Sequence, residues 1–294
     1  MIVSKIDMHV HLCDYRQIPR YGRTDTYCTT EEILEMYKYL GIERGVILPS
    51  LNPEGNLGVQ SLYDVEQMVL KDPDHFSWFV NIDPRSMSNS PEADLSYMIN
   101  YYKERGAKGV GEICANLYFD DPRVLNLFKH CEACEMPVIF HMTLQNGGDY
   151  GLIDELGMPR FEKCLQMFPN LKFLGHSQAF WAHMSADVTK ESSRGYPTGK
   201  VTEGRIAELM RKYPNLCGDM SAGSGYNAFA RDETYALAFM EEFQDRLYFG
   251  TDICSPLNEM PLSHWLDGLV ESGKLSQTVY EKICRKNAEK LLGL

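Results

Sequence analysis

The sequence predicts an α/β protein with the architecture of a (β/α)8 barrel, or TIM barrel, formed by residues 1–294 as a single domain. Eight short apolar segments rich in β-branched and aromatic residues recur along the chain, with helical patterns between them. The 294 residues divide into about 37 per repeat, the usual size of one strand and one helix of such a barrel. No glycine-rich dinucleotide fingerprint follows an early strand, which argues against an open doubly wound sheet, the alternative architecture.

The predicted strands are, in chain order, "SKIDMHVHL" at residue 4, "RGVILPS" at 44, "FSWFVNIDP" at 76, "AKGVGEI" at 107, "PVIFHM" at 137, "LKFLGHS" at 171, "NLCGDMS" at 215 and "RLYFGTDI" at 246. Helix starts are predicted where a capping residue precedes glutamate or proline, at Thr29 with Glu32, Ser90 with Pro91 and Asp121 with Pro122. Gly41 and Gly106 predict the ends of two helices.

The composition is that of an ordinary globular protein, with 44% hydrophobic and 24% charged residues. The formal net charge of −12 argues against a nucleic-acid partner, because phosphate backbones are bound by clustered lysine and arginine. No apolar run approaches the ~20 residues that span a bilayer, so no membrane partner is expected. Nine cysteines without an N-terminal signal peptide suit a reducing compartment, and we expect a cytoplasmic protein. Barrels of this kind commonly pair, which makes a homodimer the assembly to consider.

Two loops that follow predicted strands are longer than usual, residues 12–28 after the first strand and residues 177–201 after the sixth. Both leave the carboxyl ends of strands, the face that carries the active site in a barrel. We therefore expect them to form walls or lids over a substrate. The alternative is an ordinary surface insertion.

Polar side chains mark the carboxyl ends of several predicted strands. His9 and His11, in "KIDMHVHLCD", are two residues apart and therefore point to the same side of the first strand. The corresponding positions of four other strands hold Glu112, His141, His176 and Asp252. Any one of these residues alone is more often a hydrogen-bonded structural residue. Six at matching places instead favour a shared metal site, for which imidazole and carboxylate suit Zn²⁺, Mn²⁺, Fe²⁺ or Ni²⁺.

The ordered set of His-x-His, Glu, His, His and Asp on successive strands resembles the amidohydrolase superfamily of metal-dependent (β/α)8-barrel hydrolases. Four stretches, "IDMHVHL", "GHSQAFW", "YFGTDICSP" and "KNAEKLLGL", are similar to its amidohydrolase-2 branch, and the resemblance covers essentially the whole chain. It implies that His9, His11 and Asp252 hold a first ion. His141 would join them or serve a second ion, and His176 would be a second-metal ligand or a catalytic acid–base.

The fourth strand departs from part of this superfamily, because Glu112 stands where many two-metal members carry a carboxylated lysine. Lys108 points to the same side but lies too far toward the bottom of the barrel. A bridging Glu112 resembles the deoxyribonuclease-like and some phosphotriesterase-like branches. One ion and two ions both remain open, with Zn²⁺ the first expectation.

The function expected from the site is hydrolysis of an amide, lactone or ester bond, since a bound divalent ion lowers the pKa of its water to about 7. Asp252 would take the proton of that water, and His176 would stabilise charge on the substrate oxygen. Amidohydrolase-2 relatives also include non-oxidative decarboxylases and hydratases, which form the alternative, although Glu112 favours hydrolysis. A third hypothesis is a metal-free barrel that only binds a ligand.

The loop residues give a weaker indication of the substrate than the strand ends give of the metal site. Arg20 and Arg23 follow the first strand and Arg231 follows the seventh, and a guanidinium group suits a carboxylate or a phosphate. Trp181, after the sixth strand, is expected to form an apolar wall. The alternatives are solvated loop charges and a ring that only fills space beneath its own loop. We expect a small, anionic, carboxylated substrate, and no Walker pattern points to a nucleotide.

Overall fold

The computed structural model of the protein describes residues 1–16, 18–19, 24–55 and 60–294. Its strands are β1 Lys5–Val10, β2 Ile42–Ile47, β3 Phe76–Trp78, β4 Val110–Ile113, β5 Val138–Thr143, β6 Leu152–Ile153, β7 Phe173–His176, β8 Leu216–Asp219 and β9 Leu247–Tyr248. Its α-helices are α1 Thr30–Leu40, α2 Leu62–Lys71, α3 Ser96–Glu104, α4 Pro122–Ala133, α5 Pro159–Met167, α6 Gln178–Ala182, α7 Arg205–Lys212, α8 Ala222–Ala230, α9 Glu233–Glu242, α10 Pro261–Glu271, α11 Gln277–Glu281 and α12 Asn287–Leu292. Short 3₁₀ or π-helical turns cover Pro53–Gly55, Ser192–Arg194 and Lys282–Lys286.

Parallel strands alternate with helices along the chain, and the strands pair in barrel order. β1, β2 and β3 form one run, and β4, β5, β7, β8 and β9 form the other, while the two-residue β6 pairs beside β5. Backbone hydrogen bonds join the two runs at both seams. The Val80 N–H donates to the Gly109 carbonyl at 2.9 Å, and the Met8 N–H donates to the Phe249 carbonyl at 3.0 Å. The predicted (β/α)8 barrel is confirmed.

The inside of the barrel is filled by one compact apolar cluster that draws a side chain or two from most of the strands. Its members are Ile6, Met8, Val46, Leu48, Phe79, Ile139, Leu174, Cys217 and Tyr248, with Ala288 and Leu292 of α12. A second, larger cluster packs the outer faces of the strands against the surrounding helices. Because the interior is packed with side chains, polar groups can gather only where the strands leave this layer.

Local sequence signals set several helix boundaries as predicted. The Thr29 hydroxyl accepts a hydrogen bond from the Glu32 N–H, and the Glu32 carboxylate accepts one from the Thr29 N–H. The Asp121 carboxylate accepts a hydrogen bond from the Arg123 N–H at 2.9 Å at the start of α4. Gly41 ends α1 with a positive φ of 67°, which glycine adopts without steric cost.

The helix start predicted at Ser90 is wrong. The Ser90 hydroxyl accepts a hydrogen bond from the Glu92 N–H at 3.1 Å, but this closes a turn, and α3 begins only at Ser96. The same capping chemistry serves turns and helices, so the sequence signal did not distinguish them. Among the helices of the described residues, none has both the length and the apolar character needed to cross a membrane.

Candidate metal centre

The first strand brings two histidines into the mouth of the barrel. Met8 packs in the barrel interior, whereas Val10 belongs to the cluster outside it. Strict alternation would place both on the same side, and a shift in the β1–β2 register between Asp7 and Val10 accounts for the change. This irregularity turns His9 and His11 inward, where both side chains are buried.

Four polar atoms from three strand ends converge at this point. The Nε2 atoms of His9 and His11 are 3.1 Å apart, and Asp252 Oδ1 lies 3.4 Å from the first and 3.3 Å from the second. Glu112 Oε2 lies 3.6 Å from each of the two nitrogens. These four residues include three that the sequence resemblance assigned to a first ion.

The spacing of these atoms fits a divalent cation. Ligands held at about 2.1 Å from a tetrahedral ion are roughly 3.4 Å apart. The five distances given above lie between 3.1 and 3.6 Å, close to that value. The Nδ1 atom of His11 lies 2.7 Å from the Leu48 carbonyl, which can only accept a hydrogen bond, so Nδ1 carries the proton. The free lone pair on Nε2 therefore faces His9 Nε2, an arrangement that requires a cation or a proton between them.

A second group of ligands lies on the other side of Glu112. His141 Nδ1 is 2.9 Å from Glu112 Oε1, and His176 Nε2 is 3.8 Å from the same oxygen. His141 and His176 are directly paired in the β5–β7 register, so the two rings are neighbours. Asp252 Oδ2 lies 3.8 Å from His176 Nε2. Glu112 and Asp252 therefore each direct one carboxylate oxygen toward the His9–His11 pair and the other toward His176.

Asp219, the last residue of β8, supports this arrangement from behind. Its Oδ2 atom accepts hydrogen bonds from Nδ1 of His9 at 2.8 Å and from the Ser221 hydroxyl at 2.7 Å, and lies 3.0 Å from Nδ1 of His176. A carboxylate that accepts from the outer nitrogen of an imidazole leaves the inner nitrogen free to bind a metal. The sequence analysis missed Asp219, although its place at the end of "NLCGD" carried the same signal as the other ligands.

The electrostatics of the centre call for added positive charge. Burial alone lowers the pKa of His11, but the Asp252 and Glu112 carboxylates outweigh it and raise that pKa to about 9. Burial raises the pKa of Glu112, yet hydrogen bonds from His11, His141 and His9 hold it well below its usual range. The carboxylates are therefore ionised, and a cation among them offsets the cost of their burial.

The sequence itself matches a known family over nearly its whole length. The family model described as Amidohydrolase matches residues 6–294. The chain belongs to the amidohydrolase family. No curated protein sequence matches this amidohydrolase significantly.

Solved structures resemble the amidohydrolase in fold. An uncharacterised TIM-barrel protein from Bordetella bronchiseptica has 19% identity and a TM-score of 0.67, with 99% of each chain covered. A probable 2-pyrone-4,6-dicarboxylic acid hydrolase from Acinetobacter baumannii, with citric acid bound, has 12% identity and a TM-score of 0.62, with 99% of this chain and 100% of that chain covered. A dihydroxybenzoic acid decarboxylase from Polaromonas sp. JS666, with bound manganese and the inhibitor 2-nitroresorcinol, has 16% identity and a TM-score of 0.62, with 100% and 98% covered.

Family membership and the ligand groups together indicate a metal-dependent enzyme of the amidohydrolase superfamily. They also support a divalent metal ion as its cofactor. The resemblance stated from the sequence is confirmed.

A cysteine adjoins the centre of this amidohydrolase and was not expected there. Metal-binding atoms of Glu112, Cys114 and His141 all lie within 4.8 Å of one another. Burial and the Glu112 carboxylate raise the pKa of the Cys114 thiol well above its ordinary value. The signal was present in "GEIC", where Glu112 and Cys114 have the same spacing as His9 and His11.

Of the residues that were predicted to bind substrate, the structure describes two and places them in different environments. Arg20 and Arg23 lie outside the described residues. The role predicted for Trp181 is wrong, because the ring is 1% exposed and packs in the core, with its indole N–H donating to the Asp219 carbonyl at 2.8 Å. Arg231 follows the end of α8, and among the described residues its buried Nε and Nη2 atoms have no hydrogen-bond partner.

A small cavity of about 160 Å³ opens beside His141 of the amidohydrolase. Its polar lining includes Thr143, Asp149, Tyr150, Gln178, Ser193 and Arg194. Ser193 and Arg194 belong to the long loop 177–201, so part of this loop lines the cavity. Trp181 and Arg231 are not part of this lining, so the loop reaches the cavity through other residues.

Proposed function

We propose that this amidohydrolase hydrolyses an amide, lactone or ester bond in a small carboxylated substrate, using two divalent ions. The observation that carries the proposal is the position of Glu112 between two pairs of histidines. Its Oε2 atom faces His9 and His11, and its Oε1 atom faces His141 and His176. A carboxylate shared in this way is suited to bridge two ions, whereas orienting a substrate for decarboxylation needs only one.

The ligands divide between two positions. His9, His11 and Asp252 would hold the first ion, His141 would supply a ligand of the second, and Glu112 would bridge them, which leaves His176 for the acid–base role. Nitrogen and oxygen ligands in this ratio favour Zn²⁺, and Mn²⁺, Fe²⁺ and Ni²⁺ are the alternatives. When bound, the ions supply Lewis-acid polarisation of the scissile group and make hydroxide available at neutral pH.

Asp252 is the residue best placed to move protons. Its side chain is 27% exposed, more than those of His9, His11 or Glu112, so it faces the space that a substrate enters. In the proposed reaction its carboxylate takes the proton of the attacking water and passes it to the leaving group. His176, 3.8 Å from Asp252 Oδ2, donates a hydrogen bond to the oxygen on which negative charge develops.

Arg194 supplies the positive charge that a carboxylated substrate needs. It lines the cavity beside His141, and within the described residues its guanidinium group makes no ion pair. A free guanidinium at that position binds a carboxylate through two parallel hydrogen bonds. The cavity volume of about 160 Å³ restricts the bound portion of the substrate to a small group.

The test is a panel of carboxylated amides, lactones, esters and aromatic acids, assayed with the zinc-loaded protein. Formation of the new carboxylate product, measured by chromatography, is expected, without release of carbon dioxide. Carbon dioxide release without that product would instead support a decarboxylase, which the fold shared with the dihydroxybenzoic acid decarboxylase makes the second candidate. A protein that takes up no metal on reconstitution would favour the binding-protein hypothesis.

The role of Arg194 has its own test. With the best substrate of the panel, Arg194→Gln is expected to raise KM by about tenfold or more and to change kcat little. Lys190→Gln is the control, because Lys190 is an exposed cation of the same loop that does not line the cavity beside His141. An unchanged KM for Arg194→Gln would place the substrate carboxylate elsewhere.

A further inference from the structure

Cys114 lies at the mouth of the barrel, where hydrogen bonds hold its backbone in place. It directly follows β4, and being two residues beyond Glu112 it projects toward the same side. The Cys114 N–H donates to Asn52 Oδ1 at 2.8 Å, and its carbonyl accepts from the Gly151 N–H at 2.8 Å. Asn52 is itself buried and donates to Asp83 Oδ2 at 2.8 Å. The backbone of Cys114 is therefore fixed by partners from two other loops.

The side chain of Cys114 completes a ligand set on the second side of the centre. Ligand atoms of Cys114, Glu112 and His141 lie within 4.8 Å of one another, a spacing that lets them converge on one ion. Three protein ligands with one open position are typical of a catalytic zinc site. Most cysteines of the described chain are buried, but Cys114 and Cys254 are partly exposed.

We propose that the Cys114 thiolate is a ligand of the second ion, together with Glu112 and His141. This inference rests on the two-ion centre of the proposed function. On binding, the S–H bond breaks, its proton leaves to solvent, and a sulfur–metal bond forms without any change of oxidation state. Thiolate is a soft ligand, so the second position selects thiophilic ions such as Zn²⁺, Co²⁺ and Cd²⁺ over Mn²⁺. The first position, with only nitrogen and oxygen ligands, accepts both groups of ions.

Cobalt provides a direct readout of this sulfur ligand. Metal-free protein, prepared with a chelator, is titrated with Co²⁺ while the near-ultraviolet thiolate-to-cobalt charge-transfer absorption is recorded. Elemental analysis gives the number of ions bound. The wild-type protein is expected to bind two equivalents and to develop this absorption. Cys114→Ser is expected to lose the absorption. Of the two Co²⁺ ions, the more weakly held one is expected to bind to this variant at least about tenfold less tightly than to the wild type.

Cys254→Ser is the matched control. Cys254 is also partly exposed, but its Sγ lies 3.6 Å from Asn258 Oδ1 and belongs to none of the ligand groups found among the described residues. This variant is expected to keep the absorption. Two bound ions without the absorption in wild type, or the absorption retained in Cys114→Ser, would overturn the inference.

A further measurement covers the case in which Cys114→Ser does not fold. Wild-type protein with and without Zn²⁺ is treated with a thiol-alkylating reagent, and the modified peptides are identified by mass spectrometry. Metal is expected to protect Cys114 and to leave Cys254 reactive, and equal modification of Cys114 in both states contradicts the proposal. Hydrolysis is scored separately on the substrate panel. A cobalt–thiolate absorption in a protein that hydrolyses nothing refutes the proposed function alone, and hydrolysis by a two-ion protein lacking the absorption refutes the role of Cys114 alone.

Discussion

Substitution of Asp219 by asparagine tests whether the Asp219 carboxylate orients the histidines of the candidate metal centre. Asp219 Oδ2 contacts Nδ1 of His9, Nδ1 of His176 and the Ser221 hydroxyl, and Oδ1 accepts the Ser221 N–H at 3.1 Å. An amide offers one acceptor oxygen in place of two. In either orientation, the NH₂ group of asparagine faces a group that must donate.

The expected loss follows from this mismatch. If the NH₂ group faces the imidazoles, His9 takes the other tautomer and its Nε2 becomes protonated, so it can no longer bind an ion. Loss of a partner that orients a metal ligand typically weakens metal binding by 10- to 100-fold, or about 1.4–2.7 kcal/mol. That range agrees with the roughly 1.5–3 kcal/mol of one hydrogen bond to a charged group.

The assay is competition for Zn²⁺ between the metal-free protein and a chromophoric chelator. Asp245→Asn is the control, because Asp245 is 71% exposed, pairs with Lys282 at 2.8 Å and belongs to none of the ligand groups found among the described residues. Circular dichroism establishes that both variants are folded. An affinity for Zn²⁺ equal to wild type in Asp219→Asn would refute the reasoning, since Asp219 would then not orient the histidines.

Three further changes have defined outcomes. Asp252→Asn in metal-replete protein is expected to lower kcat by about 10²- to 10⁴-fold in the hydrolysis assay, and turnover at the wild-type rate would mean that Asp252 is not the base. Tyr37→Phe removes the hydroxyl that donates to the buried Asp7 carboxylate at 2.7 Å, and urea unfolding is expected to show a loss of about 1.5–3 kcal/mol. Tyr39→Phe, at an exposed residue, is its control, and an equal effect in both would contradict the explanation. Gly268 lies inside α10, and a Cβ added there would meet no other atom within 4 Å. Gly268→Ala is therefore expected to stabilise the protein by about 0.5–1 kcal/mol, and a lower thermal midpoint than that of the wild type would contradict this expectation.

Much of the candidate metal centre could be predicted from where its residues lie in the sequence. His9, His11, Glu112, His141, His176 and Asp252 each end an apolar run, and the ends of parallel strands meet at one rim of a barrel. Asp219 and Cys114 carry the same signal but were passed over, because a single carboxylate or thiol near a strand end is also common in ordinary structure. The prediction that Trp181 forms a wall for the substrate was wrong because an aromatic ring that follows a strand near the site can equally belong to the core beneath the loop.

The sequence by itself determined the alternation of strands and helices and the chemical types of the ligands, since both are properties of local residue order. The tertiary structure decided which atoms meet. The register shift in β1 turns His9 and His11 into the barrel, and the carboxylate that orients His9 lies 210 residues away along the chain. The same contacts made Cys114 a neighbour of Glu112 and His141. Such distances depend on how the barrel closes and how its strands are staggered, which no single segment of the sequence specifies.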